Sequence, residues 1–262
     1  MNGENQPLFT VATLCYNHEK FLPDYFNGLL DQTYTNVQII FHDDCSTDGS
    51  WVIVQEYLPR LREKFPEVIA VRAEENRGMW GSYLWLMELG RVRGKYFSVL
   101  ESDDYYLPER IAKVVGYMEA NPDRGLVHSG CLYKYEHDNT FKVHQPPVPP
   151  QALEGLIFES LLPIYYVIQC TIAFRTEIFR KIDLNALAAR KYPFADYAVS
   201  LALAQITPFG YLNESLVCYR YREGSASRPQ SKRKRYEFEL AARQAAVDAA
   251  ETANVSESVR QH

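Results

Sequence analysis

The sequence predicts an α/β fold in which a mostly parallel sheet carries helices on both faces. Three observations support this class. Short apolar runs alternate with segments of helical spacing through residues 8–120, which is the order of consecutive β-α-β units. A cluster of polar residues follows each apolar run. Finally, 262 residues with 47% hydrophobic and 23% charged side chains suit one large domain with a buried core.

Four predicted strands and four predicted helices alternate in the first half. Apolar residues three and four positions apart indicate the helices, and short apolar runs indicate the strands. Pro108 and Glu109 mark the start of the fourth helix, because proline fits the first turn and a carboxylate suits its positive end. In chain order we expect a strand at 8–14, a helix at 20–32, a strand at 37–42, a helix through 51–61, a strand at 68–72, a helix at 79–91, a strand at 95–100 and a helix from 108–109 onward.

The second half of the chain has a less regular pattern. The Pro-rich stretch PPVPP predicts a loop or an internal boundary. We find no internal repeat. The expected elements are two or three strands within 126–144, helices near 151–160 and 194–205, strands at 208–212 and 215–221, and a final helix from 231 to about 252.

Composition argues against several classes of protein. The net charge of -5 gives no reason to expect nucleic acid as a partner. The five cysteines are widely spaced and form no CxxC pair, so neither a zinc site nor a disulfide framework is indicated. The start of the chain lacks the pattern of a signal peptide. The most apolar window, SLLPIYYVIQCTIAF, is interrupted by Pro163 and is shorter than the roughly 20 residues of a membrane span. We therefore expect a cytoplasmic protein.

Three carboxylates stand close together where the fourth predicted strand ends, in VLESDDYYLPERI. Glu101, Asp103 and Asp104 follow the apolar run KYFSVL. Carboxylates this close disfavour one another's ionisation, whereas a hard divalent cation bound by their oxygens offsets the repulsion. A solvated acidic turn that caps the next helix is the alternative. We expect a metal site, because ligands bind beyond the carboxyl ends of strands in such folds.

Four sequence motifs in this order resemble glycosyltransferase family 2, whose members have the Rossmann-like GT-A fold. They are TLCYNHE, the stretch through DDCSTDGSW, then ENRG, and finally GKYFSVLESDDYYLPERI. The resemblance covers residues 8–130 well and is looser through 224. It implies a nucleotide-sugar-binding half at about 8–130, a smaller irregular acceptor half at about 131–224, and a C-terminal helical tail at 225–262.

The activity that this resemblance implies is transfer of a sugar, with inversion, from a nucleotide-sugar donor to a hydroxyl acceptor. Mg²⁺ or Mn²⁺ is the implied cofactor, and a glycan or a lipid-linked saccharide is the implied acceptor. Asp104 resembles the metal ligand of the family, and Asp103 resembles its neighbour, which contacts ribose or metal-bound water. Glu101 stands where an additional carboxylate is common.

The resemblance also assigns the nucleotide pocket. Asp44 matches the aspartate that hydrogen-bonds the base, and Tyr16 is a candidate to stack on the base. Glu19 is a candidate for ribose or base, and Arg77 for the nucleotide, since a planar guanidinium forms bidentate and stacking contacts. Structural alternatives exist for each of them: a helix-capping turn for Asp44, an exposed ring for Tyr16, and surface charges for Glu19 and Arg77.

The catalytic base is expected from the segment PFADYAVSLALA. Asp196 matches the position of the family's base, although this chain has Ala195 where the family more often has glutamate. A helix N-cap is the alternative role for Asp196. Arg222, in YRYREGSAS, lies where the family has a basic residue near the diphosphate. An ordinary charge at a strand end is its alternative.

The basic stretch from Lys232 to Arg235 admits two interpretations. It is either a solvated face or a packing face of the final helix, which we favour because one basic cluster is weak evidence for lipid, or a peripheral contact with the inner face of an anionic membrane.

Other functional classes fit less well. A nucleotidyltransferase would need a glycine-rich phosphate loop after the first strand, and a dinucleotide oxidoreductase would need GxGxxG there. TLCYNHE provides neither. A non-catalytic sugar-nucleotide-binding protein of the same fold is the remaining alternative, against which the acids Asp103, Asp104 and Asp196 argue.

Overall fold

The computed structural model describes residues 6–225 and 228–253 of the chain, and within them nine strands and nine α-helices. In chain order these are β1 (Phe9–Cys15), α1 (Leu22–Leu30), β2 (Val37–Asp43), α2 (Ser50–Lys64), β3 (Glu67–Arg72), α3 (Gly78–Met87), β4 (Tyr96–Val99), β5 (Tyr105–Tyr106), α4 (Arg110–Ala120), β6 (Leu126–Tyr135), β7 (Thr140–Val143), α5 (Phe158–Leu161), β8 (Ala173–Arg175), α6 (Thr176–Phe179), α7 (Leu184–Ala189), α8 (Asp196–Ala204), β9 (Phe209–Tyr221) and α9 (Lys232–Thr252).

All nine strands belong to one sheet. Its order is β3-β2-β1-β4-β8-β6-β9-β5, and β7 pairs with the outer part of β6. The strands β3, β2, β1 and β4 are parallel, which confirms the β-α-β order predicted for the first half. In the second half β8 pairs antiparallel with β4 and β6, so the sheet as a whole is mixed.

The long ladder between β6 and β9 joins the two predicted halves. These strands are parallel and paired along the whole of β6. The predicted division near residue 130 falls inside β6, and Gly130 lies at an irregularity in its pairing with β9.

Two predictions for the second half were wrong in detail. The helix expected near 151–160 is replaced by a 3₁₀ turn, Pro150–Ala152, and the four-residue α5, because Pro149 precedes the turn and Gly155 has a φ of +88°. The strands expected at 208–212 and 215–221 form the single strand β9, in which the polar residues between them make a bulge.

Two apolar layers cover the two faces of the sheet. Helices α1, α2 and α4 pack on one face, and α3, α8 and α9 pack on the other. Successive residues of β1 point to opposite layers, so Val11 contributes to the first and Ala12 to the second. The final helix α9 buries Ala245 and Ala246. Among the described helices, none has both the length and the apolar character needed to span a bilayer.

Candidate functional site

The loops that follow β1 and β2 are bound to each other at the carboxyl edge of the sheet. The backbone N–H of Asn17 donates to Ser46 Oγ at 2.9 Å, and the N–H of His18 donates to Ser50 Oγ at 2.9 Å. Asn17 and Cys45 both have positive φ, at 56° and 63°. Non-glycine residues in this conformation carry strain and occur most often at functional sites. The two loops therefore form one rigid rim.

Glu19 and Tyr16 lie on this rim. Glu19 Oε2 accepts a hydrogen bond of 2.6 Å from the N–H of Gly49, the residue that precedes α2, so its carboxylate stabilises the start of that helix. The ring of Tyr16 is 46% exposed. The rim thus presents an aromatic ring to solvent beside a carboxylate that already has a structural partner.

Asp44 hydrogen-bonds the start of α3 and not the start of α2, the helix that directly follows it in sequence. Its Oδ1 accepts from the N–H of Arg77 at 2.8 Å and its Oδ2 from the N–H of Gly78 at 2.9 Å. Both groups belong to the first turn of α3, where backbone N–H groups need acceptors. Asp43 instead closes the local turn, since its Oδ1 accepts from the N–H of Ser46 at 2.7 Å. Asp44 is buried, and the side chain of Arg77 is exposed above it.

Asp103 is partly exposed and is paired with Arg222, which is distant from it in sequence. Its Oδ2 lies 2.9 Å from Arg222 Nη2 and 3.3 Å from Arg222 Nε. The side chain of Asp103 is 16% exposed. Two of the residues predicted for the site, 119 positions apart, are therefore in direct contact.

His18 completes this group. Its Nε2 lies 3.2 Å from Arg222 Nη2 and 3.9 Å from Asp103 Oδ2, and its Nδ1 lies 2.8 Å from Ser102 Oγ. A guanidinium only donates hydrogen bonds, so Nε2 is the acceptor and we assign the proton to Nδ1, which donates to Ser102. Burial lowers the pKa of His18, which favours this neutral form.

Asp104 points away from Asp103 and into the interior. It is 3% exposed, and its Oδ1 accepts from the backbone N–H of Arg220 at 2.8 Å. Burial, followed by the charge of Asp103, raises the pKa of Asp104 well above its ordinary value. The structure thus gives Asp104 a bond to β9, and it leaves Asp103 as the partly exposed member of the pair.

Arg220 is a member of this cluster that sequence analysis did not select. Its side chain is buried, bonds the backbone oxygen of Asp103 at 2.7 Å, and pairs with Asp24 at 2.7 Å and with Glu136. It also lies over the ring of Phe21, 4.7 Å from the centroid. Arg220 therefore fixes the loop that carries Glu101, Asp103 and Asp104, called the acidic loop below, to β9 and α1. The pattern Arg-x-Arg was the available signal, because residues two apart in a strand share one face.

Glu101 lies close enough to Asp196 for the two carboxyl groups to interact. Burial raises the pKa of Glu101 well above its ordinary value, and the charges of Asp104, Asp103 and Asp196 add to the effect. Asp196 is the first residue of α8 and lies near the hydroxyl of Tyr165. Burial raises the pKa of Asp196 from 3.8 to about 6. The predicted base, Asp196, thus interacts electrostatically with the acidic loop, although at least 92 residues separate the two in sequence.

Comparison with known proteins gives a consistent assignment. The family model described as Glycosyl transferase family 2 matches residues 10–183. The putative teichuronic acid biosynthesis glycosyltransferase TuaG of Bacillus subtilis is 28% identical over 227 residues, covering 85% of this chain and 82% of TuaG. An uncharacterised glycosyltransferase of Methanocaldococcus jannaschii is 27% identical, covering 84% of this chain and 73% of the relative.

Solved structures show the same fold. S. aureus TarS residues 1–349, in complex with UDP-GlcNAc, superposes with a TM-score of 0.66 at 20% identity, covering 95% of this chain and 68% of the TarS chain. The mannosyltransferase PcManGT from Pyrobaculum calidifontis, in complex with GDP-Man and Mn²⁺, gives a TM-score of 0.62 at 15% identity, with coverages of 98% and 79%. The GT-A fold implied by the sequence motifs is confirmed. This chain belongs to glycosyltransferase family 2 and is an enzyme that transfers sugar from a nucleotide-sugar donor.

Proposed function

We propose that the enzyme transfers its sugar in a single displacement with inversion, assisted by Mg²⁺ or Mn²⁺, to a hydroxyl of a glycan or a lipid-linked saccharide. The observation that carries this proposal is that the acidic loop interacts both with Arg222 and His18 and with the proposed base, Asp196. Arg222 and His18 contact Asp103 of this loop, and Asp196 lies close enough to Glu101 of the same loop to raise its pKa. We infer that the diphosphate binds near Arg222 and that the attacking hydroxyl binds near Asp196.

The residues of the loop fit a divalent cation. Mg²⁺ in phosphate sites uses one or two carboxylates, and substrate phosphates and water complete its coordination. Among the described residues no group of three or more His, Cys, Asp or Glu side chains could hold a metal by themselves, so the proposed site requires further ligands from the donor and from water. Asp103 is the better placed ligand, because it is partly exposed, whereas Asp104 is buried against Arg220. When bound, the cation would neutralise the diphosphate leaving group.

Arg222 and the rim residues are proposed to hold the donor. Arg222 supplies a guanidinium that can bond phosphate oxygens bidentately, and Arg77 offers a second exposed guanidinium at the start of α3. The exposed ring of Tyr16 is a platform for the base. Asp44 and Glu19 already accept backbone hydrogen bonds, so their contacts with base and ribose would use remaining lone pairs.

Asp196 is proposed to be the general base. Its pKa of about 6 leaves the carboxylate ionised at neutral pH and makes it a stronger proton acceptor than an ordinary aspartate. The carboxylate lies at the N-terminus of α8, whose backbone N–H groups stabilise its ionised form. A base that deprotonates the acceptor on the face opposite the leaving group gives inversion.

The first test of this function is a thermal-shift screen of UDP-, GDP-, dTDP- and CMP-sugars, each with EDTA, Mg²⁺ or Mn²⁺. A ligand that binds only the folded protein raises its midpoint by mass action. We expect one nucleotide class to raise the midpoint, and to do so several-fold more strongly with metal. Equal shifts with EDTA and with metal would contradict metal assistance, and no shift with any donor would contradict the assignment of the pocket.

The relatives and α9 support a proposal for the acceptor and the cellular location. TuaG is named for teichuronic acid biosynthesis, and we propose that this enzyme likewise builds a cell-surface polysaccharide.

We further propose that this enzyme works in the cytoplasm at the inner face of the membrane. Tyr236, Leu240 and Val247 are 62%, 46% and 49% exposed on one face of α9, and Lys232 and Arg243 lie on the same face. Exposed apolar residues flanked by cations are typical of contact with anionic lipid.

The membrane proposal predicts a dependence on lipid charge. We expect the protein to sediment with vesicles that contain phosphatidylglycerol and to remain in the supernatant with phosphatidylcholine alone. Lys232→Gln with Arg243→Gln should weaken the binding about 30-fold, at roughly 1 kcal/mol for each charge. Arg60→Gln with Arg62→Gln, which removes two exposed charges from α2, is the matched control. Equal loss in both variants would indicate a non-specific charge effect.

A further inference from the structure

A second cavity lies beside the site, between the end of β9 and the first turns of α9. Its volume is about 260 Å³, and its walls are Tyr221, Glu223, Arg228, Arg235, Phe238 and Glu239. The volume is below the roughly 300–1,000 Å³ of sites that enclose drug-sized ligands. The cavity therefore suits a ligand much smaller than a nucleotide sugar.

Contacts other than ion pairs hold the two arginines of this cavity in place. The guanidinium of Arg228 rests on the ring of Tyr221, 3.8 Å from the centroid, and donates to the hydroxyl of Tyr219 at 3.0 Å. Arg235 and Glu239 have the i, i+4 spacing of a helical ion pair, yet Arg235 Nε donates to the backbone oxygen of Pro229 at 2.7 Å instead.

Within residues 6–225 and 228–253, none of the cavity's two arginines and two glutamates forms an ion pair. Charges of both signs are thus available in a space that also has two aromatic rings. A ligand with one strong charge would be attracted by half of these groups and repelled by the other half. A neutral ligand with many hydroxyls would instead donate to the carboxylates and accept from the guanidiniums.

The cavity adjoins both sides of the transfer site. Tyr221 directly precedes Arg222, which contacts Asp103. On the other wall, Phe238 packs edge-on against Phe194 with centroids 5.2 Å apart, and Phe194 lies two residues before Asp196. A ligand in the cavity would consequently lie between the strand that supplies Arg222 and the segment that supplies the base.

We propose that this cavity is an acceptor subsite that binds one neutral sugar residue of the growing saccharide. The ring of Phe238 provides apolar surface for the C–H face of the sugar, whereas the ring of Tyr221 is covered by Arg228. Arg228 and Glu239 provide hydrogen bonds to the hydroxyls of the sugar. This inference rests on the proposed function, because it requires that the acceptor be a saccharide. It adds the location and the chemical class of the recognised unit.

The test measures saccharide binding by saturation-transfer NMR with methyl glycosides of glucose, galactose, mannose, N-acetylglucosamine and glucuronic acid. We expect saturable binding of at least one neutral glycoside, weakened about tenfold or more by Arg228→Gln and by Glu239→Gln, since each loses a charge-assisted hydrogen bond. Glu237→Gln is the matched control, because Glu237 lies on the same helix and pairs with Arg233 instead. The control should bind like the wild type.

The outcomes separate this inference from the function on which it rests. Binding of no glycoside, preferential binding of the glucuronide, or binding that survives both cavity substitutions would overturn the subsite. If the metal-dependent thermal shift by a nucleotide sugar persists in that case, the proposed transfer reaction stands without it. If glycoside binding behaves as expected but no nucleotide sugar shifts the midpoint, the proposed function fails and the cavity remains a sugar site.

Discussion

Asp196→Asn is expected to lower kcat by about 10²–10⁴-fold, the usual contribution of a general base, and to leave donor affinity unchanged. The amide has the same shape as the carboxyl group and keeps an oxygen for the N-terminus of α8, but it cannot accept the proton of the attacking hydroxyl. Initial rates with saturating donor and acceptor give kcat, and the thermal shift with the nucleotide sugar reports donor binding. Retention of kcat within threefold would exclude Asp196 as the base.

Asp183→Asn is the matched control for this substitution. Asp183 also stands at the start of a helix, where its Oδ1 accepts from the N–H of Ala186 at 3.0 Å. It belongs to α7, and we expect its asparagine variant to keep full activity. A loss of activity in both variants would indicate a general effect of helix capping on the fold.

The raised pKa of Asp196 adds a signature in pH. We expect log(kcat/KM) to fall with a slope of one below about pH 6, because the protonated carboxyl cannot act as a base. The folded state binds this proton more tightly than the unfolded state. Its stabilising contribution is therefore complete below pH 3.8 and is lost as the pH rises through about 6. At pH 8 the asparagine variant should consequently unfold at a higher temperature than the wild type while being far less active.

The position of the site could be predicted from sequence because parallel strands share one edge. Polar clusters after β1, β2 and β4 were expected to converge, and in the structure the loops after β1 and β2 are bonded to each other. The contact between Asp103 and Arg222 also joins two residues that were both selected in advance. The alternation of strands and helices was therefore sufficient to locate the cleft.

The direction of individual side chains was beyond what the sequence could provide. A capping role for Asp44 was expected to involve the next helix, whereas its oxygens bind the start of α3, 33 residues later. Such a partner is chosen by the tertiary arrangement of the loops. His18 was not among the predicted site residues, because its contact with Arg222 depends on β9 returning beside the loop that follows β1. The short elements β5 and β8 have too few residues for a periodic pattern.

The largest effect on donor binding is expected at Asp103. Asp103→Ala should abolish the metal-dependent part of the thermal shift by the nucleotide sugar and should lower kcat/KM by at least about 10³-fold, since several kcal/mol of charge stabilisation at the diphosphate depend on the cation. Asp103→Asn, which keeps an acceptor for Arg222, should show nearly the same loss. Agreement between the two variants would assign the effect to the carboxylate charge and not to the release of Arg222.

Asp104→Ala provides the decisive contrast, because the sequence alone assigned the metal to that residue. Its removal leaves the buried N–H of Arg220 without its acceptor, which costs about 1–3 kcal/mol of folding free energy and lowers the unfolding midpoint by several degrees. The response of the remaining folded protein to Mn²⁺ and nucleotide should persist. If Asp104→Ala instead eliminates the Mn²⁺ response while Asp103→Ala preserves it, the buried aspartate is the ligand, and the loop must open toward β9 when the donor binds. Asp103 and Asp104 are neighbours at a strand end, and the sequence does not distinguish their roles. Their partners do: Asp103 contacts the side chain of Arg222, as expected of a ligand in the site, whereas Asp104 accepts from the backbone of Arg220, as expected of a structural residue.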